Sequence, residues 1–169
     1  VVTFEQKNIF IPKCALNGFL MLLTIVLIPA MGFAHDAAAA QAKTSPPPSS
    51  FLAPNTIFHP DFNFLEKGQG YLSYQGDNKV NIWGETYGTV RVNEIGIQIT
   101  LQRSEGSTWT DVYIGASVKE RNAAYAYTSI RDISVLSGYY YRVKAYHWIR
   151  KDNTTESGYR CSSSYLIPE

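Results

Sequence analysis

"EIGIQITLQR", residues 94–103, is the stretch that decides the fold. Ile95, Ile97, Ile99 and Leu101 alternate with residues that are polar or glycine. Side chains of a β-strand point to opposite faces in turn, so this alternation indicates one buried face and one face in water. The sequence therefore predicts a strand that lies against an apolar core.

Similar extended runs follow one another at intervals of roughly ten residues, with turn signals between them. They are "YLSYQ" (71–75), "KVNIWGETYGTVRV" (79–92, with breaks at Gly84 and Gly88), "TWTDVYIGA" (108–116), "AYAYTSIRDISV" (124–135), "YYYRVKAYHWIR" (139–150) and "TESGYRCSSSYLI" (155–167). No stretch after the N-terminal segment has the period of an amphipathic helix. About seven strands in a domain of about 100 residues predict an all-β fold, a single antiparallel β-sandwich.

Composition sets the class of protein and limits its partners. The chain has 169 residues, a formal net charge of +1 and 12 Tyr, and 14% of its residues are aromatic. One domain is typical of this length, and abundant Tyr, Thr and Ser favour strands and turns. A nearly neutral chain is not attracted to nucleic acid as a whole, so no nucleic-acid partner is predicted.

The N-terminus predicts export. Lys7 and Lys13 precede an uncharged, largely apolar run at 14–34, which ends in small residues. This is the pattern of a secretory signal peptide, here residues 1–34 with cleavage after Ala34. The alternative is an uncleaved anchor, which would make this segment the only contact with the membrane. Both interpretations predict a protein that is secreted, extracellular or on the cell surface, and the signal is of bacterial type.

The segment after the signal predicts a spacer. Residues 35–56 run through alanines into a Pro and Ser tract that has no apolar period. Consecutive prolines extend the chain as polyproline II, so we expect a linker without a fold of its own. Residues 57–169 are then the β-sandwich domain.

The strand at 139–150 belongs to a motif that resembles fibronectin type III-like domains. In "LSGYYYRVKAYH" (136–147), the matching positions are Leu136, Gly138, Tyr141, Val143 and Ala145, while Ser137 stands where the family usually has proline. "LQRSEGSTW" (101–109) is similar to the third-strand hairpin of that family. The resemblance implies an immunoglobulin-like sandwich in which the Tyr141 hydroxyl bonds back to the preceding loop. The ending of the chain also resembles small exported Gram-positive bacterial proteins of uncharacterised function.

The same strand supplies the candidate binding residues. By parity, Tyr139, Tyr141, Val143, Ala145, His147 and Ile149 face the core, and Tyr140, Arg142, Lys144, Tyr146, Trp148 and Arg150 form a solvated face. Aromatic rings stack on sugars, and neighbouring cations hold carboxylates or phosphates. We therefore predict ligand binding by Tyr140, Arg142, Tyr146 and Trp148, with a glycan, a cell-wall polymer or a surface protein as the partner. The alternative is that these aromatics only stabilise the sheet.

The function predicted from these patterns is a non-enzymatic binding module. The alternatives are a structural or assembly protein of the cell envelope or extracellular matrix, or a secreted toxin or inhibitor. In an assembly protein, sheet edges and Cys161 would join chains. No nucleophile, phosphate-loop or metal-ligand motif is present, so no cofactor and no metal site are predicted. The one pair to consider for catalysis is Cys161 with His147, and the parity of the strand favours a hydrogen-bonded role for His147.

Overall fold

Seven antiparallel strands make up the regular structure of residues 42–47 and 58–169, which a computed structural model describes. The strands are β1 (Leu65–Gly76), β2 (Lys79–Ser104), β3 (Trp109–Ile114), β4 (Val118–Ser134), β5 (Tyr140–Lys151), β6 (Thr154–Cys161) and β7 (Tyr165–Leu166). The all-β, antiparallel prediction is confirmed for this part of the chain. The predicted signal peptide and most of the predicted linker lie outside the described residues.

Strand β2 organises the sheet because it is long enough to belong to two halves. It has 26 residues and joins the two strands predicted at 79–92 and 94–103. Its first half pairs with β1 on one edge and with β4 on the other. Its second half pairs with β5 on one edge, and with β3 and the beginning of β4 on the other. Strands β6 and β7 then pair with β5.

The glycines predicted to break this region instead continue the strand, and that prediction was wrong. Gly84 lies in the first half of β2 and faces inward. A Cβ at Gly84 would lie 2.6 Å from Cδ1 of Ile97, and one at Gly88 would lie 2.8 Å from Cδ1 of Ile149. The absent side chains therefore make room for large residues of the second half to pack across.

The sheet curls into a half-barrel, with its core on the concave side. The pairing of β2 with β4 is irregular between Tyr87 and Val92, and there the inward parity changes from even to odd residues. As a result, β1 packs face to face on β5: a Cβ at Gly68 would meet the His147 ring, and one at Gly70 would meet Val143. The fully buried apolar side chains of the core include Val80, Ile82, Ile95, Ile97, Ile99, Leu101, Val143 and Ile149. The predicted inward face of 94–103 is thus confirmed.

The turn before β2 and the loop before β5 contain residues that favour their backbone conformations. The turn predicted at "GDN" is present, with Gly76, Asp77 and Asn78 all at positive φ. Gly138, in the loop before β5, has a φ of 78°, a left-handed conformation that glycine adopts without strain. Five residues before Tyr141, the backbone N–H of Leu136 donates a 2.9 Å hydrogen bond to the Tyr141 hydroxyl. The hydrogen bond implied by the resemblance is therefore present.

Two segments before β1 are held against the sheet. The buried Glu156 carboxylate of β6 accepts hydrogen bonds from the backbone N–H groups of Asn63, Phe64 and Leu65 at 2.6–2.9 Å. Within the predicted linker, the Lys43 amide donates to the Gly138 carbonyl and Pro47 is buried, so residues 42–47 lie against the domain. Neither described range contains a helix with the length and hydrophobicity needed to cross a membrane.

Candidate functional site

The predicted binding residues lie on the outer side of the second half of the sheet. We call this surface the Trp148 face and define it by Gly96, Gln98, Tyr146, Trp148 and Tyr159. In the register of the sheet, Trp148 of β5 lies beside Gly96 of β2, and Tyr146 lies between Gln98 of β2 and Tyr159 of β6. A Cβ at Gly96 would overlap the Trp148 ring, so the glycine allows the indole to lie across β2.

Three aromatic rings form a row on this face. The centroids of Tyr146 and Trp148 are 5.5 Å apart with an interplanar angle of 23°, and those of Tyr146 and Tyr159 are 4.9 Å apart. Tyr159 is the most open of the three, with 59% of its surface exposed. Tyr159 is not among the residues predicted from the sequence. The signal that could have found it is the "KDNTT" turn, because a hairpin there aligns Tyr159 with Tyr146.

Cations surround one end of the aromatic row. Beside Gly96, the Glu94 carboxylate is 3.0 Å from Lys119 Nζ, 2.7 Å from an Arg150 guanidinium nitrogen and 3.8 Å from Arg121 Nε. Hydrogen bonds from Lys119 and Arg150 lower the pKa of Glu94 to about 2. Three cations share one carboxylate, so this group keeps a net positive charge at neutral pH.

Arg142 departs from the prediction, because it is buried where a solvated side chain was expected. Only 8% of its surface is exposed, and its burial lowers the pKa of the guanidinium. Its Nε donates a 2.8 Å hydrogen bond to Gln102, and the guanidinium lies 4.1 Å from the centroid of the Trp109 ring. Arg142 therefore holds β3, β2 and β5 together. The prediction of a solvated side chain was wrong because Trp109, from another strand, covers it.

Of the four predicted residues, the structure brings Tyr146 and Trp148 together. Tyr140 lies at the start of β5, where it pairs with Leu166 of β7, and it is separated from Trp148 by most of the strand. Lys144 joins the face instead: its Nζ is 3.4 Å from Asp111 and 5.8 Å from the Tyr159 centroid. The site supported by the geometry is thus the aromatic row with Lys144, Lys119, Arg121 and Arg150 around it.

His147 and Cys161 do not form a pair. Cys161 is aligned with Lys144 and His147 with Gly158, and Lys144 and His147 occupy opposite faces of β5. His147 Nδ1 lies 2.7 Å from Thr86 Oγ1, and the Thr86 hydroxyl donates to the Gly96 carbonyl. The ring nitrogen is then the donor to Thr86. Burial, together with the charge of Arg160, lowers the pKa of His147 to about 3, so the imidazole is neutral. The hydrogen-bonded role predicted from parity is confirmed.

A second aromatic group, which the sequence analysis missed, surrounds Glu85 on the outer side of the first half of the sheet. The sequence indicates this group through Trp83, Glu85 and Tyr87, which are two residues apart and so share one face of a strand. Among the described residues, no three His, Cys, Asp or Glu side chains are grouped to hold a metal ion.

Comparisons of this chain with protein-family models, curated proteins and solved structures find no match. The function is therefore inferred from the residues and from their geometry. Two surfaces stand out: the Trp148 face, which is aromatic and cationic, and the group around Glu85, which is aromatic and carries a carboxylate.

Proposed function

We propose that this protein is a non-enzymatic binding module, secreted or held at the cell surface, and that its Trp148 face binds an anionic glycan or cell-wall polymer. The observation that carries the proposal is a row of three aromatic rings that lies beside three cations, which share a single carboxylate. Ring faces and edges offer apolar contact to sugar rings, and cations bind carboxylate or phosphate groups along a polymer.

The exposure of the charged groups supports an anionic ligand. The side chain of Glu94 is only 15% exposed, whereas those of Lys119, Arg150 and Arg121 are 54%, 53% and 78% exposed. The carboxylate is thus covered by the cations that share it, and their outer sides remain open to solvent. A polymer that approaches this face meets positive charge first.

We infer that the curled sheet is a fibronectin type III-like, or immunoglobulin-like, sandwich in which one long strand serves both halves. The pairing β1–β2–β4 matches the order A–B–E of such folds, and β2–β5–β6 matches the order C–F–G. The hydrogen bond between the Leu136 amide and the Tyr141 hydroxyl, and the packing of β1 on β5, support the same assignment. Domains of this architecture are frequent at cell surfaces, which agrees with the export predicted from the N-terminus.

The test is co-sedimentation of the purified chain with insoluble cell-wall material. The variant Tyr146→Ala/Trp148→Ala/Tyr159→Ala is compared with the wild type and with Tyr113→Ala, which removes an exposed ring on β3. We expect the wild type and the control to pellet and the triple variant to remain in solution, with circular dichroism showing that all three are folded. Equal pelleting of the folded triple variant would contradict the proposal.

An assembly protein is the second candidate, and strand β3 favours it. In the described part of the chain, β3 pairs with β2 only, and it exposes Val112, Tyr113 and Ile114, the last at 62%. An apolar edge strand can pair with a second chain. Sedimentation velocity distinguishes the two functions: an assembly protein would form oligomers that Ile114→Lys disperses, whereas a binding module would remain monomeric.

A further inference from the structure

The outer side of the first half of the sheet places one carboxylate among aromatic rings. Glu85 lies between Trp83 and Tyr87 along β2, all on the same face. Across the strands, Gln69 of β1 and Tyr127 of β4 are the partners of Glu85 in the register. Two further cross-strand pairs, Tyr71 with Trp83 and Tyr125 with Tyr87, extend the aromatic surface on either side.

An open pocket lies between two of these rings, Tyr71 and Tyr87, and we call it the Glu85 pocket. It is lined by Lys67, Gly68, Gln69, Tyr71, Glu85 and Tyr87, and its volume is about 250 Å³. For comparison, a cavity of about 150 Å³ is large enough to bind benzene. Tyr71 is stacked on Trp83 at 5.2 Å with an interplanar angle of 11°, which fixes its ring at one end of the pocket.

The carboxylate in this pocket is held by phenol groups. The Tyr87 hydroxyl donates to one oxygen of Glu85 at 3.0 Å, and the Tyr125 hydroxyl donates to the other at 3.5 Å. Burial and the hydrogen bond to Glu85 raise the pKa of Tyr87 to about 12, so this phenol stays protonated and continues to donate. The hydroxyl protons of both tyrosines are thus directed at Glu85, and the pocket offers a ligand negative charge and ring faces.

A cation of this protein already uses one of those ring faces. The Lys67 ammonium lies over the Tyr87 ring, 4.6 Å from its centroid. Lys67 is exposed and reaches the pocket from β1. An ammonium group over an aromatic ring is attracted by the electron density of the ring, and the neighbouring carboxylate adds to the attraction.

We propose that the Glu85 pocket is a second binding site, which takes an organic ammonium group, quaternary or protonated, by displacing the side chain of Lys67. An uncharged sugar fits the pocket less well, because it brings no positive charge to the Glu85 carboxylate. This proposal does not depend on the function assigned to the Trp148 face. The two surfaces lie on the outer sides of halves whose inner sides pack together, so one molecule can hold an anionic ligand and a cationic one at once.

The experiment is a titration of the full chain, labelled with ¹⁵N, with choline and with 3,3-dimethylbutan-1-ol, which has the same shape without the charge. We expect choline to shift the amide signals of Gln69, Glu85 and Tyr87 in a saturable way, and the neutral alcohol to bind about tenfold more weakly. Equal affinity for the two probes, or no shift at saturating choline, would overturn the proposal.

Four variants assign the effect to the pocket. Glu85→Gln keeps an acceptor for the tyrosine hydroxyls, and we expect it to weaken choline binding about tenfold, whereas Glu120→Gln on β4 leaves it unchanged. Lys67→Met removes the competing ammonium at an exposed position and is expected to tighten binding several-fold. If Glu85→Gln binds choline like the wild type, or if Lys67→Met does not tighten binding, the assignment is wrong. Choline binding that persists in the Tyr146→Ala/Trp148→Ala/Tyr159→Ala variant separates this site from the Trp148 face.

Discussion

His147 is a fully buried ionisable residue in the centre of the inner face. Its imidazole lies against Gly68 of β1 and has the Phe58 ring 5.3 Å away in an edge arrangement. Water cannot solvate a charge there, which is why the pKa is low. Protonation of this ring therefore opposes the folded state.

We expect this residue to make the protein sensitive to acid. Its pKa falls from 6.5 to about 3 on folding, so between these values the unfolded chain binds the proton and the folded chain does not. The stability contributed by the neutral ring is complete above pH 6.5 and is lost as the pH falls toward 3. Between pH 7 and pH 4 the loss is about 3 kcal/mol in the free energy of unfolding.

Urea denaturation at several pH values measures this effect, with His147→Gln as the comparison. The variant will have a lower free energy of unfolding at pH 7. The informative quantity is how steeply that free energy changes with pH. We expect a shallower slope for the variant, and parallel curves for the two proteins would show that His147 is not the group responsible.

Glu156 is the second residue whose substitution should lower the free energy of unfolding. Its carboxylate accepts three backbone hydrogen bonds from the segment that leads into β1. In Glu156→Gln, one amide donor of the new side chain would face a backbone donor, and the charge that strengthens the bonds would be lost. We expect a loss of about 2 kcal/mol in the free energy of unfolding. Urea denaturation at neutral pH measures it, and Glu120→Gln, an exposed carboxylate on β4, should change stability little.

At the scale of the strands, much of the fold could be predicted from the sequence because period-2 alternation survives in the final structure. The inward residues of 94–103 and of β5 are those that alternation selects. The continuity of β2 could not be predicted from its sequence. Glycine within a strand often marks a bulge or a bend, whereas here Gly84 makes room for Ile97 from the second half of the same strand and Gly88 makes room for Ile149 of β5.

The beginning of β1 was missed for a similar reason. "LEKGQG" at 65–70 has no apolar alternation, so a strand was predicted only from Tyr71. Gly68 and Gly70 face the core without side chains of their own, and His147 and Val143 fill the space. The apolar partner that makes this segment a strand lies on β5.

Gly96 is the residue at which the packing of β2 against β5 determines the position of Trp148. In Gly96→Ala, the added methyl group would overlap the Trp148 ring. We expect the indole to move away from β2 while the sheet stays folded. We expect Gly96→Ala to lower pelleting with wall polymer by roughly as much as Trp148→Ala, a loss measured in the co-sedimentation assay. Ser129→Ala, on the outer side of the first half, serves as the control. Full binding by a folded Gly96→Ala would show that the position of Trp148 is unimportant.

At the scale of the molecule, the charge around Glu94 predicts a dependence of polymer binding on salt. The three cations that share Glu94, Lys119, Arg121 and Arg150, are largely exposed, so mobile ions screen them. We expect binding to weaken several-fold between about 50 and 500 mM NaCl, because the Debye length shortens from roughly 14 to 4 Å. Choline binding in the Glu85 pocket, where the carboxylate is half-buried, should weaken less. A polymer affinity that does not change with salt would point to ring stacking alone.

The candidate site could be predicted only in part, because its members come from several strands. Tyr146 and Trp148 are neighbours by parity within one strand, and parity is visible in the sequence. Tyr159, the burial of Arg142 by Trp109 and the grouping of Lys119 and Arg121 near Glu94 depend on which strands pair. Which strands pair with one another cannot be predicted from the alternation within a single sequence.

Strand β2 has a consequence for how the protein opens. Its backbone bonds to both halves of the sheet, so neither half can separate while the other stays intact without fraying the strand they share. The amide protons in the paired stretches of β2, 79–87 and 94–104, should therefore exchange with solvent at similarly slow rates, whereas those at 89–91, where no ladder continues, should exchange faster. Proteases that need a locally unfolded chain would find cleavage sites at the exposed edges and turns and near Val90 of β2, and would reach the paired stretches of β2 only when the whole domain unfolds.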